Sequence, residues 1–204
     1  MKFLMSLTAL MFVGSLAIAA DAPTGASDPK AAEMMKKWQE FATPGAEHKK
    51  LGELAGKWNY SSKWWESANA KPEESKGVST FKMVLGGRYL AHETKGKAMG
   101  MPFEGLGYTG FNNLTKTYDT LWLDSMGTGV SHGKGTMDTA TNTLKDSGEV
   151  TCPMSTSADH MRKFRSEWKI VDKNNTILSM YMAGTDGGAE FKSGELTFKR
   201  AGTK

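Results

Sequence analysis

The sequence has 204 residues, with 24% charged and 10% aromatic side chains and a formal net charge of +4. Its lysines are scattered and form no arginine-rich cluster, so a nucleic-acid-binding surface is not expected. The length is sufficient for one domain with a hydrophobic core.

The N-terminus, MKFLMSLTALMFVGSLAIAADAP, has the features of a secretory signal peptide. Lys2 supplies a positive charge, residues 3–16 are apolar, and residues 17–19 form a small-x-small cleavage site. The alternative is an uncleaved membrane anchor, but the apolar run is short for a span. We predict cleavage near Ala19/Ala20 and a periplasmic or secreted protein, with no membrane span after signal removal.

Cys152 is the single cysteine, so an internal disulfide is not expected. An exported protein without disulfides fits a bacterial periplasmic protein that is stabilised by its hydrophobic core. Cys152 itself is predicted to be a small apolar residue or an unused thiol.

Two helices are predicted after a flexible leader over residues 20–28. Asp28 is placed to cap the first helix, Pro29 suits its first turn, and Pro44-Gly45 ends it. Its residues Met34, Trp38 and Phe41 share one stripe. A second short helix is expected over residues 46–55, with Leu51 and Leu54 facing inward.

From residue 56 onward the helical periodicity stops, and short segments separated by turn residues recur, which is typical of all-β proteins. The ten predicted strands are 56–66, 76–85, 88–98, 103–112, 118–126, 129–137, 143–152, 160–172, 177–183 and 189–200. Most of the connections are short, so neighbouring strands should be antiparallel.

A flat sheet, a sandwich and a barrel are all compatible with ten such strands. Closure removes exposed edges and is favoured by short connections, so we predict an all-β fold, an up-and-down barrel. Glycines within its strands let them bend. Gly86-Gly87 is expected to form a tight turn, whereas Gly105, Gly107 and Gly110 would let a strand curve or admit a neighbour's large ring.

The segments LGELAGKWNY, KGVSTFKMVLGGRYLAHETKG, MGMPFEGLGYTGFNN and YDTLWLDSMGTG resemble the bacterial "domain of unknown function 1579" family. The resemblance covers about residues 47–200 and implies a calycin-like (lipocalin-like) β-barrel without implying a mechanism. We divide the chain into a signal peptide (1–19), a leader with the N-terminal helix (20–45) and the barrel domain (46–204).

Several polar and aromatic residues lie at strand positions from which they would reach the lumen. The candidate ligand-binding residues are Arg88, His92, Glu93, Tyr108, Trp122, Asp124 and Tyr181. Arg88 would hold a ligand carboxylate, or instead pair with Glu104 or Asp124 at a strand corner. Trp122 and Asp124 lie two residues apart, so they share a face as a pocket wall and a polar anchor.

Some residues suggest a cofactor or metal instead of a small organic ligand. Haem bound through His92 or His132 is one such alternative, and copper bound by the pairs Met99/Met101 and Met180/Met182 is another, but no cofactor or metal site is predicted. His132, Arg165, Glu167 and Glu195 occupy further strand positions, and no catalytic motif selects any residue.

The expected function is to bind a small apolar or amphipathic molecule inside the barrel. The alternatives are an enzyme of isomerase or hydrolase type that uses Glu93 or His92, and a structural envelope protein with a filled barrel.

Overall fold

The computed structural model of the protein describes residues 28–202, so the predicted signal peptide lies outside the described residues. Two helices precede ten strands. The elements are α1 (Pro29–Ala42), α2 (Ala46–Gly52), β1 (Gly56–Trp64), β2 (Glu73–Val84), β3 (Tyr89–Ala98), β4 (Met101–Asn112), β5 (Thr117–Asp124), β6 (Ser131–Asp138), β7 (Thr143–Thr151), β8 (Met161–Asp172), β9 (Asn175–Met182) and β10 (Phe191–Arg200).

The strands form one closed antiparallel barrel in which each strand pairs with its neighbours in the chain and β10 pairs with β1. Closure therefore satisfies both edges of every strand, as the short connections predicted. All ten strands lie within three residues of their predicted bounds at either end. The prediction of an up-and-down barrel is confirmed.

The helix α1 begins at the cap predicted for it, since Asp28 Oδ1 accepts a hydrogen bond from the backbone of Lys30 at 3.0 Å. Its stripe does not pack on the barrel, because Met34 and Trp38 are 55% and 59% exposed. The side-chain amide of Asn113 holds the C-terminal end of α1 by donating to the backbone carbonyls of Glu40 and Phe41 and to that of Thr43, which follows the helix. No described helix is long and apolar enough to cross a bilayer.

The helix α2 closes one end of the barrel. Leu51 and the following Leu54 are 2% and 3% exposed, so both leucines face inward as expected. They pack against a core of inward-facing aromatic side chains that includes Trp58, Phe81 and Phe198. At this end Arg200 stacks on Trp58, 4.2 Å from its ring centroid, and donates to backbone carbonyls before β1 and in the β8–β9 turn. We call this half of the barrel the closed end.

Candidate ligand-binding site in the barrel lumen

The lumen differs in accessibility between its two ends. On β8, the inward-facing Trp168 is 6% exposed at the closed end, whereas Phe164, four residues nearer the other end, is half-buried. On β9, Thr176 is 0% exposed, whereas Met180 and Met182 are half-buried. Because these side chains face the interior, their exposed surface borders the lumen. We call this accessible half of the lumen the open half, or the cup, and we call the closed-end core beneath it the floor.

Glycines make room for large rings on the wall of this cup. A Cβ added at Gly105 would lie 2.2 Å from the Trp122 ring, and one at Gly107 would lie 2.1 Å from Nε2 of His92. On the outer face near the closed end, a Cβ at Gly110 would likewise meet the Tyr89 ring at 2.5 Å. The prediction that these three glycines admit a neighbour's large ring is therefore confirmed.

The wall of the cup is apolar. Phe103 at the start of β4 stacks on Trp122 of β5, with ring centroids 6.4 Å apart and an interplanar angle of 20°. Across the lumen, Met180 and Met182 of β9 present thioethers, and Phe164 of β8 adds a further ring. Flat rings and adaptable thioethers are well suited to contact an apolar or aromatic guest.

Two aspartates face the lumen among these apolar groups. Asp124 accepts a hydrogen bond from Nε1 of Trp122 at 2.7 Å and from the backbone of Met126 at 2.9 Å. Asp146 is 7% exposed and accepts hydrogen bonds from the hydroxyl groups of Thr120 and Ser166. The arrangement thus combines an apolar wall with oriented polar anchors, as small-molecule sites do.

His92 lies at the floor of the cup. Its ring centroid is 5.0 Å from that of Trp122, 5.2 Å from that of Phe81 and 5.8 Å from that of Trp168. Desolvation in this aromatic surrounding lowers the pKa of His92 from 6.5 to about 4. The imidazole is therefore neutral at physiological pH and offers one donor and one acceptor to the lumen.

Three predicted site residues lie on the outer face of the barrel instead of the lumen. Glu93 and Tyr108 follow His92 and Gly107 in their strands, and successive side chains of a strand point to opposite faces. Tyr181 packs against Arg165, and the Arg165 guanidinium lies 3.6 Å from the centroid of the Tyr181 ring. These three side chains cannot line the lumen, and the enzyme hypothesis that relied on Glu93 loses its interior carboxylate.

Other polar side chains that sequence analysis placed at possible inward positions also lie outside. Arg165 pairs with Glu167 at 2.7 Å and with Glu190 at 2.8 Å, and Glu195 pairs with Lys192. None of these three ion pairs lies in the lumen.

Arg88 is also absent from the lumen. It lies in the β2–β3 turn at the closed end, where its Nη1 donates to the backbone carbonyl of Leu85 at 3.1 Å. Arg88 contacts neither Glu104 nor Asp124, the two partners considered for it. Glu104 pairs with Lys95 at 3.0 Å, and Asp124 accepts a hydrogen bond from Trp122. Gly86-Gly87 does form the predicted turn, with φ of 66° and 84°.

Of the predicted site residues, the structure brings His92, Trp122 and Asp124 together in the lumen. Sequence analysis missed Asp146, Phe103 and Phe164. Asp146 stands between Lys145 and Ser147, so it reads as part of a polar outer face. The usable signal was Leu144, because an apolar residue two positions earlier assigns Asp146 to the same face.

The two histidines considered for haem lie on opposite faces of the barrel, and the two methionine pairs considered for copper lie at different places in it. His132 lies on the outer face with Nε2 4.0 Å from a carboxylate oxygen of Asp119, whereas His92 lies in the lumen. Met99 is 65% exposed in the turn before β4, apart from the inward-facing Met180 and Met182. Within residues 28–202, no group of three or more His, Cys, Asp or Glu side chains is arranged to hold a metal ion.

Two concavities lie outside the cup. The closed end retains a cavity of about 10 Å³ between α2, β7 and β8, which is room for no more than one water molecule. A groove of about 330 Å³ runs along the outer face of β6, β7 and β8, between Lys134, Lys145 and Arg165. Its charged lining is already paired, because Lys134 contacts Asp119 and Lys145 contacts Asp138.

The model of the family described as "Protein of unknown function (DUF1579)" matches residues 43–200. The chain belongs to this family. A search of curated proteins finds no match to this DUF1579 protein.

Among solved structures, this DUF1579 protein is similar to the S-type phycobiliprotein lyase CPES from Guillardia theta. The two share 11% identity and superpose with a TM-score of 0.56, over 81% of this chain and 97% of the lyase chain. A second match is EF1p2_mFAP2b bound to DFHBI, with 13% identity and a TM-score of 0.41, over 76% of this chain and 98% of that chain. At such identities the likeness to the lyase shows a shared barrel fold.

Proposed function

We propose that this DUF1579 protein binds a small, largely apolar or amphipathic molecule in the open half of its barrel. The observation that carries the proposal is the accessibility of inward-facing apolar side chains. Phe103, Trp122, Phe164 and Met180 are half-buried although they face the interior of a closed barrel. A guest molecule that covered these surfaces would gain about 25 cal/mol for each Å² of apolar area removed from water.

The polar groups of the cup support a guest that is amphipathic instead of purely apolar. Trp122 is fixed by its hydrogen bond to Asp124, and His92 is neutral below it. A site whose walls are held by packing and hydrogen bonds binds with less loss of side-chain freedom. The proposed ligand therefore stacks on Trp122 and directs a polar group toward the floor or toward the aspartates.

Binding of diphenylhexatriene, a neutral apolar probe whose fluorescence rises in an apolar site, tests the proposal. We expect the protein to bind it, and Trp122→Ala to weaken binding by about tenfold or more, because one stacking face and its buried area are lost. Trp122→Phe keeps an aromatic face, so its affinity should stay within about threefold of that of the native protein. Thermal unfolding of each variant would show that the barrel is intact.

Leu121→Ala is the matched control, because Leu121 is the preceding residue of β5 and faces outward. Its affinity for the probe should match that of the native protein. Failure of diphenylhexatriene to bind, together with the absence of any copurifying small molecule in native mass spectrometry, would favour the filled-barrel alternative. Equal weakening by Leu121→Ala and Trp122→Ala would place the probe outside the lumen.

We also propose that the protein is exported to the periplasm or secreted, on the basis of the signal-like sequence over residues 1–19. Mass spectrometry of the protein from fractionated cells tests this. The expected product lacks the signal, begins near Ala20 and is found in the periplasmic fraction or the medium. An intact N-terminus in the membrane or cytoplasmic fraction would contradict it.

A further inference from the structure

The open half of the lumen has an acidic character. Among the described strand residues that face this half, the charged side chains are Glu73 at the rim, Asp124, Asp146 and Arg162. Arg162 is engaged at the rim, where its Nε donates to the carbonyl of Ala183 at 3.0 Å and its Nη1 contacts the sulfur of Cys152 at 3.6 Å. The aspartates are therefore not neutralised by a partner within the cup.

Asp146 shows most clearly how the carboxylates are held. Its two oxygens accept hydrogen bonds from the hydroxyl groups of Thr120 and Ser166, and it lies over Gly133, where a Cβ would come within 2.5 Å of Oδ2. Hydroxyl groups satisfy hydrogen bonds but supply no opposite charge. Because an unpaired buried carboxylate is unfavourable, a cation brought by a guest would gain more here than at the protein surface.

A second observation, independent of the aspartates, is that two buried polar atoms of the same interior lack a hydrogen-bond partner. Trp168 is the next lumen-facing residue after Ser166 on β8, and its Nε1 is buried with no hydrogen-bond partner among the described residues. Ser62, on the lumen face of β1, is 3% exposed, and its Oγ also lacks a partner. Buried polar atoms are nearly always hydrogen-bonded, so these two call for a ligand or water molecules.

The aromatic wall strengthens the preference for positive charge. Trp122 and Phe103 are neighbouring lumen-side aromatic residues, and the negative face of an aromatic ring attracts cations, tryptophan most strongly. The same carboxylates and ring faces would repel the carboxylate of a fatty acid. Arg88, which sequence analysis assigned to a ligand carboxylate, lies at the closed end.

From these contacts we infer that the ligand is an aromatic or polyene compound that carries a positively charged nitrogen, paired with Asp146 or Asp124. This inference rests on the proposed function, because it specifies the chemistry of the molecule that the cup binds. It assigns Asp146, Asp124 and Trp122 as the residues that determine specificity.

Three probes with the same polyene test the inference: diphenylhexatriene, its trimethylammonium derivative and its propionate derivative. We expect the cationic probe to bind at least about tenfold more tightly than the anionic one at low ionic strength, because the buried carboxylates discriminate by charge. Asp146→Asn should reduce this ratio to about threefold or less, and Asp124→Asn should reduce it in the same direction.

Asp119→Asn is the control, because Asp119 lies on the outer face of β5, beside Lys134, and its replacement changes the net charge equally. The ratio should not change in this variant. If the neutral probe binds but the cationic probe binds no better than the anionic one, the inference is wrong while the proposed function stands. If none of the three probes binds, both are wrong. An equal fall in the ratio for Asp119→Asn would attribute the preference to overall charge.

Discussion

Gly107 of β4 lies directly against the imidazole of His92 on β3, its partner in the strand register, so that a Cβ at residue 107 would be 2.1 Å from Nε2. The next inward-facing glycine along β4, Gly105, lies against the ring of Trp122 on β5, its diagonal neighbour, and a Cβ there would be 2.2 Å from that ring. The absence of side chains at these two positions allows two large rings to lie flat along the lumen wall, and the shape of the cup depends on them.

Gly107→Ala should therefore destabilise the protein. The new methyl group would overlap His92. It would also lie 2.9 Å from the ring of Trp122, which limits how far His92 can move. We expect the free energy of unfolding to fall by about 1–3 kcal/mol, as for other overpacked cores, in urea denaturation.

Gly127→Ala is the matched control, because the nearest atom to its added Cβ would be 3.9 Å away. Its effect should stay within about 0.5 kcal/mol. A second test is Gly107→Ala combined with His92→Ala, which should be less destabilised than the sum of the single changes. Full stability of Gly107→Ala would show that His92 does not occupy this position.

The half-buried, desolvated His92 should make stability depend on pH. Its pKa is lowered from 6.5 to about 4 in the folded state, so between these values the unfolded chain binds more protons than the folded protein does. Stability should consequently rise with pH through this window and be lost as the pH falls from 6.5 toward 4. The contribution is on the order of 3 kcal/mol, given 1.36 kcal/mol for each pKa unit.

Denaturation midpoints between pH 4 and 7 measure this dependence. His92→Gln should flatten the profile, whereas His132→Gln should leave it unchanged because His132 is exposed on the outer face. A profile that is equally steep in His92→Gln and in the native protein would assign the pH dependence to other groups.

Arg200 should stabilise the junction at which the barrel closes. It donates to the backbone carbonyls of Ala55 at 2.6 Å, Glu53 at 2.8 Å and Lys173 at 2.7 Å, and it also stacks on Trp58. Arg200→Met keeps the aliphatic part of the side chain but removes these donors. We expect a loss of about 1–3 kcal/mol in thermal or urea unfolding, since hydrogen bonds from a charged group are among the stronger ones.

The control for this variant is Lys199→Met, which removes one positive charge from the preceding, exposed residue. Its unfolding free energy should stay close to that of the native protein. Equal stabilities for the two variants would mean that the contacts of Arg200 contribute nothing beyond its charge.

Asn113→Ala should release the C-terminal end of α1 without unfolding the barrel. The Asn113 amide donates to the carbonyls of Glu40, Phe41 and Thr43 at 3.2, 2.9 and 2.8 Å. Hydrogen exchange in the last turn of α1 should accelerate by about fivefold, as expected from loss of roughly 1 kcal/mol of local stabilisation. Leu114→Ala, an exposed residue of the same turn, is the control, and similar acceleration in both variants would contradict a specific role of Asn113.

The fold was readable from the sequence because the spacing of turn residues and the alternation of side chains are local properties. Ten strands and the inward-facing Leu51 and Leu54 follow from such patterns. The exposure of the apolar stripe of α1 could not be predicted in this way, because helical periodicity indicates an apolar face without showing what that face contacts.

The site was only partly readable, because the face that a residue occupies is set by register between strands. His92 and Glu93 are adjacent, so only one of them can reach the lumen, and the pairing of His92 with Phe81 and Gly107 decides which. Arg88 was misplaced because its turn folds the side chain back onto Leu85. Asp146 was missed because its sequence neighbours, Lys145 and Ser147, are polar, so that it resembled part of an outer face.

The most direct measurement is NMR of the indole N–H groups of the six tryptophans, assigned by Trp→Phe variants, during titration with diphenylhexatriene. The signals of Trp122 in the cup and Trp168 at its floor should shift in a saturable manner, whereas that of Trp38, exposed on α1, should not move. If the lumen indoles stay unchanged at saturating probe, or the signal of Trp38 alone shifts, the cup is not the ligand-binding site.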